Sequence, residues 1–193
     1  MTTDRSGGWE AVSDQFMAMR SPAGAALVLA WAKDRLPPSA AILEIGCGSG
    51  VPIAQALANA GFPVWGVDAS PSLISAYRRN PPDMPAVCEA AQTSSFFDRA
   101  FFGIVSIGLV FLLDESDQRV LFAHIADALE PGGRFLFSAP REVCCWNDTL
   151  TGRVSRSLGA GAYGAHLAGA GLQLNDCLSD EGGNDYYDVA KPV

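Results

Sequence analysis

Apolar residues in this chain come in short runs separated by glycine and proline, and the spacing within them changes regularly between helical and extended. Trp9 to Arg20 and Pro22 to Arg35 carry helical patterns; Pro22 suits a helix start and Pro37-Pro38 ends the second helix. The run Ala41 to Ile45 is a strand that meets a glycine cluster, and a helix follows from Pro52 to Ala60, stopped by Gly61. Pro63 to Val67 is a second strand, ending at Asp68, and Pro71 to Arg79 is helical. Pro85 to Cys88 is a brief strand and Phe102 to Gly108 a strong one. Glu115 to Leu129 is the clearest amphipathic helix, with Val120, Leu121, Ile125, Ala128 and Leu129 as its apolar stripe and an acidic start suited to the helix dipole. Glu130-Pro131-Gly132-Gly133 reads as a stop, followed by the strand Arg134 to Ser138. Gly161 to Ala170 is helical, and Leu172 to Leu178 and Asp185 to Ala190 pair as strands across Glu181-Gly182-Gly183.

Alternating strands and helices, with strands that are apolar throughout, predict an α/β fold: a mostly parallel sheet covered by helices on both faces, closed by an antiparallel strand. Ligands of such sheets bind beyond the carboxyl ends of the strands. The loops after Ile45, Val67, Cys88, Ile107 and Ser138 therefore surround one crevice. No repeat, low-complexity tract or linker interrupts residues 1–193, so a single domain is expected.

The formal charge of −8 argues against a nucleic-acid partner, which requires a positive face to displace counterions. The five cysteines are odd in number and lack C-x-x-C spacing, and His124 and His166 are far apart. Reduced thiols and no metal are expected. No apolar run is long enough for a bilayer, and the polar start from Met1 to Gly8 lacks a signal-peptide pattern. A cytoplasmic protein with no membrane partner is the reading.

The segment Leu43-Glu44-Ile45-Gly46-Cys47-Gly48-Ser49-Gly50 carries the chemistry. Its G-x-G-x-G pattern follows a strand and precedes a helix, so backbone can lie directly against a ligand. The dinucleotide fingerprint needs a third glycine where Val51 stands, which weakens a nicotinamide cofactor without abolishing it. Asp68 ends the next strand, where a carboxylate accepts hydrogen bonds from both ribose hydroxyls of an adenosine. The competing reading of Asp68-Ala69-Ser70-Pro71 is a plain helix cap.

These segments resemble the class I S-adenosylmethionine-dependent methyltransferases, from about Ala41 to Ala190. Glu44 to Gly50, Val67-Asp68-Ala69-Ser70 and Leu129-Glu130-Pro131-Gly132-Gly133 carry the resemblance. It implies a Rossmann-like three-layer sandwich with a seven-stranded sheet of order 3-2-1-4-5-7-6, strand 7 antiparallel. It also implies S-adenosyl-L-methionine as cofactor and S-adenosyl-L-homocysteine as product. Gly46, Gly48 and Gly50 would contact the methionyl and ribose parts and Asp68 the ribose. Glu44, Cys47, Ser49, Ala69 and Ile107 complete the implied set. Where relatives carry an acidic residue for the adenine amino group, this chain has Ala91 or Gln92, a backbone or amide contact, with Glu89 as the less favoured alternative. A second departure is Phe102-Gly103 in place of the common Phe-Asp.

Asn80-Pro81-Pro82-Asp83 resembles the N-P-P-aromatic motif of amino-group DNA methyltransferases, but it precedes the third strand and lacks the aromatic, so it reads as a turn. His124 and His166 are weak candidates for a general base. Residues 140–158 form a long loop on the binding side, and Arg141, Trp146 and Arg153, with Arg156, are its candidate acceptor contacts. The N-terminal helices, residues 1–38, would cover the cofactor around Phe16, Met19 and Arg20. The small size favours a small-molecule acceptor. Three rivals stay open: a non-catalytic S-adenosylmethionine-binding regulator, an NAD-dependent oxidoreductase, and aminopropyl transfer. The acceptor atom and oligomeric state are not encoded legibly.

Overall fold

The computed structural model describes residues 4–80 and 83–193. Seven strands form the main sheet: β1 (Ile42–Ile45), β2 (Val64–Asp68), β3 (Ala86–Cys88), β4 (Phe101–Ser106), β5 (Leu129–Ser138), and a terminal pair numbered after an inserted hairpin, β8 (Gln173–Ser179) and β9 (Asp185–Ala190). Their order is β3-β2-β1-β4-β5-β9-β8. The first five run parallel, whereas β9 is antiparallel to both β5 and β8. With the hairpin set aside, this is the order that the resemblance implies.

The strand pleat sends alternate residues to opposite faces, which separates two cores. Leu43, Ile45, Ile104, Phe135 and Phe137 pack with α5 (Glu115–Ala128) and α6 (Gly159–Gly169), through Leu121, Phe122, Ile125, Tyr163 and Leu167. Ile42, Val64, Val105 and Leu136 pack on the other side with α2 (Ala25–Arg35), α3 (Ile53–Asn59) and α4 (Pro71–Tyr77). Burial on both faces explains why these strands read as continuous apolar runs. The chain enters through a 3-10 turn (Glu10–Val12) and α1 (Ser13–Met19). Its N-terminal layer is tied to the sheet by Asp188, which accepts from Trp31 Nε1 at 2.9 Å and pairs with Arg134.

Three expectations need correction. The stripe of α5 runs through Gln118, Leu121, Phe122, Ile125 and Ala128, while Val120 points out and is 41% exposed. Glu130 to Gly133 do not end the chain's extension before a new strand. They bulge within β5, because pairing jumps from Phe101–Leu129 to Gly103–Arg134. Gly133 permits this, since a Cβ there would stand 2.8 Å from the Glu130 carbonyl oxygen. Third, the expected loop at 140–158 is a β-hairpin of β6 (Val143–Asn147) and β7 (Val154–Leu158), a separate two-stranded sheet. Its turn is organised by Asp148, whose Oδ1 accepts from the Leu150 and Thr151 amides at 3.0 and 2.7 Å. The Pro81-Pro82 core of the Asn80 to Asp83 motif lies outside the described residues. Asn80 itself donates from Nδ2 to the Ser49 carbonyl at 3.0 Å.

Candidate active site

A crevice of about 630 Å³ opens at the carboxyl ends of β1, β2, β3 and β4, with the hairpin as one wall. That volume falls in the range of small-molecule sites. The sheet order reverses between β1 and β4, so the crevice sits at the topological switch point.

The glycine loop forms its floor. Gly46 and Gly48 have positive φ, and a Cβ at Gly48 would stand 3.2 Å from the Phe16 ring. Only glycine holds this loop turned upward beneath the N-terminal segment. Asp68 locks the loop to the next strand: Oδ2 accepts from the Gly48 amide and Oδ1 from the Ser70 amide, both at 2.9 Å. Burial pushes its carboxyl above the usual range, while these amides pull it back. The helix cap is made by Ser70, whose hydroxyl accepts from the Leu73 amide at 3.2 Å. Asp68 is therefore left to face the crevice, which it lines with Ala69.

Glu44 lies behind the loop, 3% exposed, with Oε2 lacking a partner among the described residues. Burial raises its carboxyl to about 8, against the opposing pull of the Arg20 guanidinium. Arg20 lines the crevice and its guanidinium rests 5.2 Å from the Phe16 ring centre. An anionic ligand group reaching the glycine loop would find Arg20 as its counter-charge, whereas Glu44 stays behind the loop and holds its proton near neutral pH.

At the far end of the cofactor half, Glu89, Ala91, Gln92 and Ile107 line the wall. Gln92 donates to Asp117 Oδ2 at 2.7 Å and Glu89 accepts from Ser94 Oγ at 2.6 Å. The expected contacts thus divide. Gly46, Gly48, Asp68, Ala69, Ala91, Gln92 and Ile107 meet in the crevice, whereas Glu44, Cys47, Ser49 and Gly50 shape it from behind without lining it.

The hairpin residues divide too. Arg153 and Arg156 line the crevice. Arg141 does not: its Nε pairs with Asp185 at 3.0 Å and it donates to the Cys177 carbonyl, bracing β6 against the terminal strands. Trp146 packs on Phe111, ring centres 5.2 Å apart, outside the lining. His124 and His166 also lie outside it.

Several lining residues escaped the sequence reading. Arg5 and Trp9 arrive from the N-terminal segment, and Leu109, Leu112 and Leu113 from the turn after β4. Trp9 had one signal: its spacing to Phe16 allows the edge-to-face contact seen at 5.4 Å. Glu10 clamps this segment over the site, accepting from the Ser72 amide at 3.1 Å and the Ser72 hydroxyl at 2.6 Å. Among the described residues, no three His, Cys, Asp or Glu side chains converge as metal ligands, and no helix is long and apolar enough to cross a membrane.

With this geometry in view, comparison with known proteins is direct. Residues 42–133 match the family model described as a methyltransferase domain. That stretch holds the glycine loop, Asp68 and the strands β1 to β4. Among solved structures, it is similar to the amino pentose methyltransferase CalS10 of Micromonospora echinaspora, solved with S-adenosylmethionine (16% identity, TM-score 0.75, covering 94% of this chain and 96% of that one). It is similar to the CcbJ methyltransferase of Streptomyces caelestis (18% identity, TM-score 0.77, 99% of each chain). A third is the 1,6-didemethyltoxoflavin-N1-methyltransferase of Burkholderia thailandensis, with that substrate and S-adenosylhomocysteine bound (20% identity, TM-score 0.77, 98% of this chain and 87% of that one). Comparison with curated protein sequences gives no match.

Proposed function

We propose that this protein transfers the methyl group of S-adenosyl-L-methionine to a small-molecule acceptor held between the hairpin and the turn after β4. The observation that carries the reading is Asp68. It is a half-buried carboxylate at the end of β2, held by the Gly48 amide and turned to a crevice floored by glycines. In this reading Asp68 accepts from the ribose hydroxyls, Gly46 and Gly48 let the methionyl part approach the backbone, and Ala91 and Gln92 flank the adenine. Arg20, which lines the crevice, balances the carboxylate of the amino-acid tail.

When bound, the cofactor supplies an electrophilic methyl group: an acceptor lone pair bonds the carbon as the carbon–sulfur bond breaks, leaving S-adenosyl-L-homocysteine. What the protein adds is alignment and exclusion of water. The described part of the N-terminal segment, residues 4–38, serves as cover, and residues 140–158 contribute the acceptor wall through Arg153. Trp146 and Arg141 support that wall from behind. The relatives with named small-molecule substrates favour an acceptor of that size. Five free cysteines fit a reducing, cytoplasmic setting.

Calorimetry with S-adenosyl-L-methionine, S-adenosyl-L-homocysteine and NAD tests the reading. Binding of the first two and not the third is expected. NAD binding without response to either of the others would overturn it.

A further inference from the structure

We infer that the acceptor carries an oxyanion, a carboxylate or phosphate ester, gripped by Arg153 and Arg156 at the hairpin end of the crevice. This rests on the methyltransferase reading above and adds the acceptor's chemistry. The chain has a net charge of −8 and 13 cationic side chains, yet four of them, Arg5, Arg20, Arg153 and Arg156, line this one hollow. The four acids that also line it are committed. Asp68 accepts from Gly48 and Ser70, Glu89 from Ser94, Asp117 from Gln92, and Asp114 caps α5 through the Asp117 amide at 3.0 Å.

The arginines are not committed in this way. Among the described residues, none of the four makes an ion pair within 4.0 Å. The Nε of Arg156 is buried and has no acceptor, although the carbonyl oxygen of the same residue is held by Gln118 at 3.3 Å. A desolvated guanidinium N–H without a partner is unfavourable, and a bound carboxylate or phosphate relieves it with a charge-assisted bond. Asp4, whose carboxyl the Arg153 charge lowers, and Asp114, whose carboxyl the Arg156 charge lowers, already receive hydrogen bonds from their own neighbours and make no ion pair with these arginines within 4.0 Å. Arg153 also lies where the hairpin meets the N-terminal segment, its Nε 3.3 Å from the place a Cβ on Gly8 would occupy.

The hairpin enters the crevice from the β5 side, whereas the glycine loop and Asp68 stand at β1 and β2. Asp68 ends β2, while the hairpin follows β5, three strands along the order β2-β1-β4-β5. At a strand spacing of about 4.8 Å that separation is roughly 14 Å. Leu109, Leu112 and Leu113 line the space after β4 between these ends. The acceptor is thus an apolar body with its anion at Arg153 and Arg156 and its nucleophile toward the glycine loop.

The test titrates benzoate, phenyl phosphate and benzamide into protein saturated with S-adenosyl-L-homocysteine. At least one anion should bind at millimolar concentration, and benzamide at least about tenfold more weakly. Arg156→Gln should weaken the anion by about 10- to 150-fold, the equivalent of a hydrogen bond to a charged group, with S-adenosyl-L-homocysteine affinity within about twofold of wild type. Arg153→Gln, at an exposed position, replaces it should the first variant not fold. Binding of benzoate alone assigns a carboxylate, and of phenyl phosphate alone a phosphate. Failure of both anions, equal binding of benzamide, or undiminished binding in the variants overturns the inference. Failure of wild-type protein to bind S-adenosyl-L-homocysteine would instead overturn the proposed function.

Discussion

Burial pushes up two carboxylates a strand apart, Asp68 and Glu44, but they are held differently. Asp68 keeps two amides, and its job is to remain charged toward the crevice. Asp68→Ala should weaken S-adenosyl-L-homocysteine binding by about 1.5–3 kcal/mol, roughly 10- to 150-fold in Kd by calorimetry. Normal binding by the variant would reduce Asp68 to a brace for the Gly48 loop. Glu44 has the Arg20 guanidinium and a single backbone amide, that of Ala54, to pull it down, yet burial lifts its carboxyl from 4.5 to about 8. Between those values the native state keeps a proton that the unfolded chain has released. Stability is therefore highest below about pH 4.5 and falls as pH rises toward 8, by at most about 1.4 kcal/mol per pH unit from this group. Urea unfolding at about pH 5 and pH 8 should show that Glu44→Gln lessens the decline; an identical decline in both proteins would refute the assignment. Asp68 and the glycine loop were legible because strand, turn and carboxylate are adjacent in sequence. Arg5 and Trp9 were not, since only tertiary folding brings the N-terminal segment over the loop.

Among the elements, the hairpin was the least legible. Exposure alternates along Val143-Cys144-Cys145-Trp146-Asn147, but the residue types do not alternate in polarity, and the inward positions of β7 are the serines Ser155 and Ser157, so the sequence carries no period-two signal. A turn signal was present in Asp148 and Gly152, flanked by the β-branched Val143 and Val154. Without that ribbon the arginines seemed equivalent, yet only Arg153 and Arg156 face the crevice while Arg141 clasps Asp185. Trp146 holds the ribbon to Phe111. Trp146→Ala should cost at least the pair's share of about 0.5–1.5 kcal/mol, a melting temperature lower by about 1–6 °C, with S-adenosyl-L-homocysteine affinity within about twofold. An unchanged melting temperature would show that the ribbon is held elsewhere. The N-terminal cover is pinned differently, by a single carboxylate. Glu10→Ala should raise amide exchange across residues 5–20 and weaken S-adenosyl-L-homocysteine several-fold while the sheet stays protected. Unaltered exchange there would mean that Phe16 and Trp9 alone hold the cover.

For the molecule as a whole, a mostly parallel sheet covered on both faces could be anticipated because each buried strand is a local apolar run, whereas the order of its strands was implied only by the family resemblance. The final antiparallel pair followed from the glycine pair between Leu178 and Asp185. What local pattern could not supply was closure: the crevice is walled by segments from both ends of the sequence, with Arg5 and Trp9 near one terminus and the hairpin far beyond the glycine loop. A ligand that fills it therefore touches the N-terminal layer, four strand ends and the hairpin together, and its binding energy stabilises all of them against unfolding. At a concentration of S-adenosyl-L-homocysteine one hundred times its Kd, linkage gives about 2.7 kcal/mol. For a chain of this size each kcal/mol raises the melting temperature by about 2–4 °C, so a rise of roughly 5–11 °C is expected by calorimetric scan. NAD at the same concentration should leave the transition where it was, because the loop lacks the third glycine of the dinucleotide fingerprint at Val51. A rise with NAD equal to that with S-adenosyl-L-homocysteine would mean that the crevice recognises only the adenosine the two share, and that the glycine loop contributes no preference for the sulfur-containing tail.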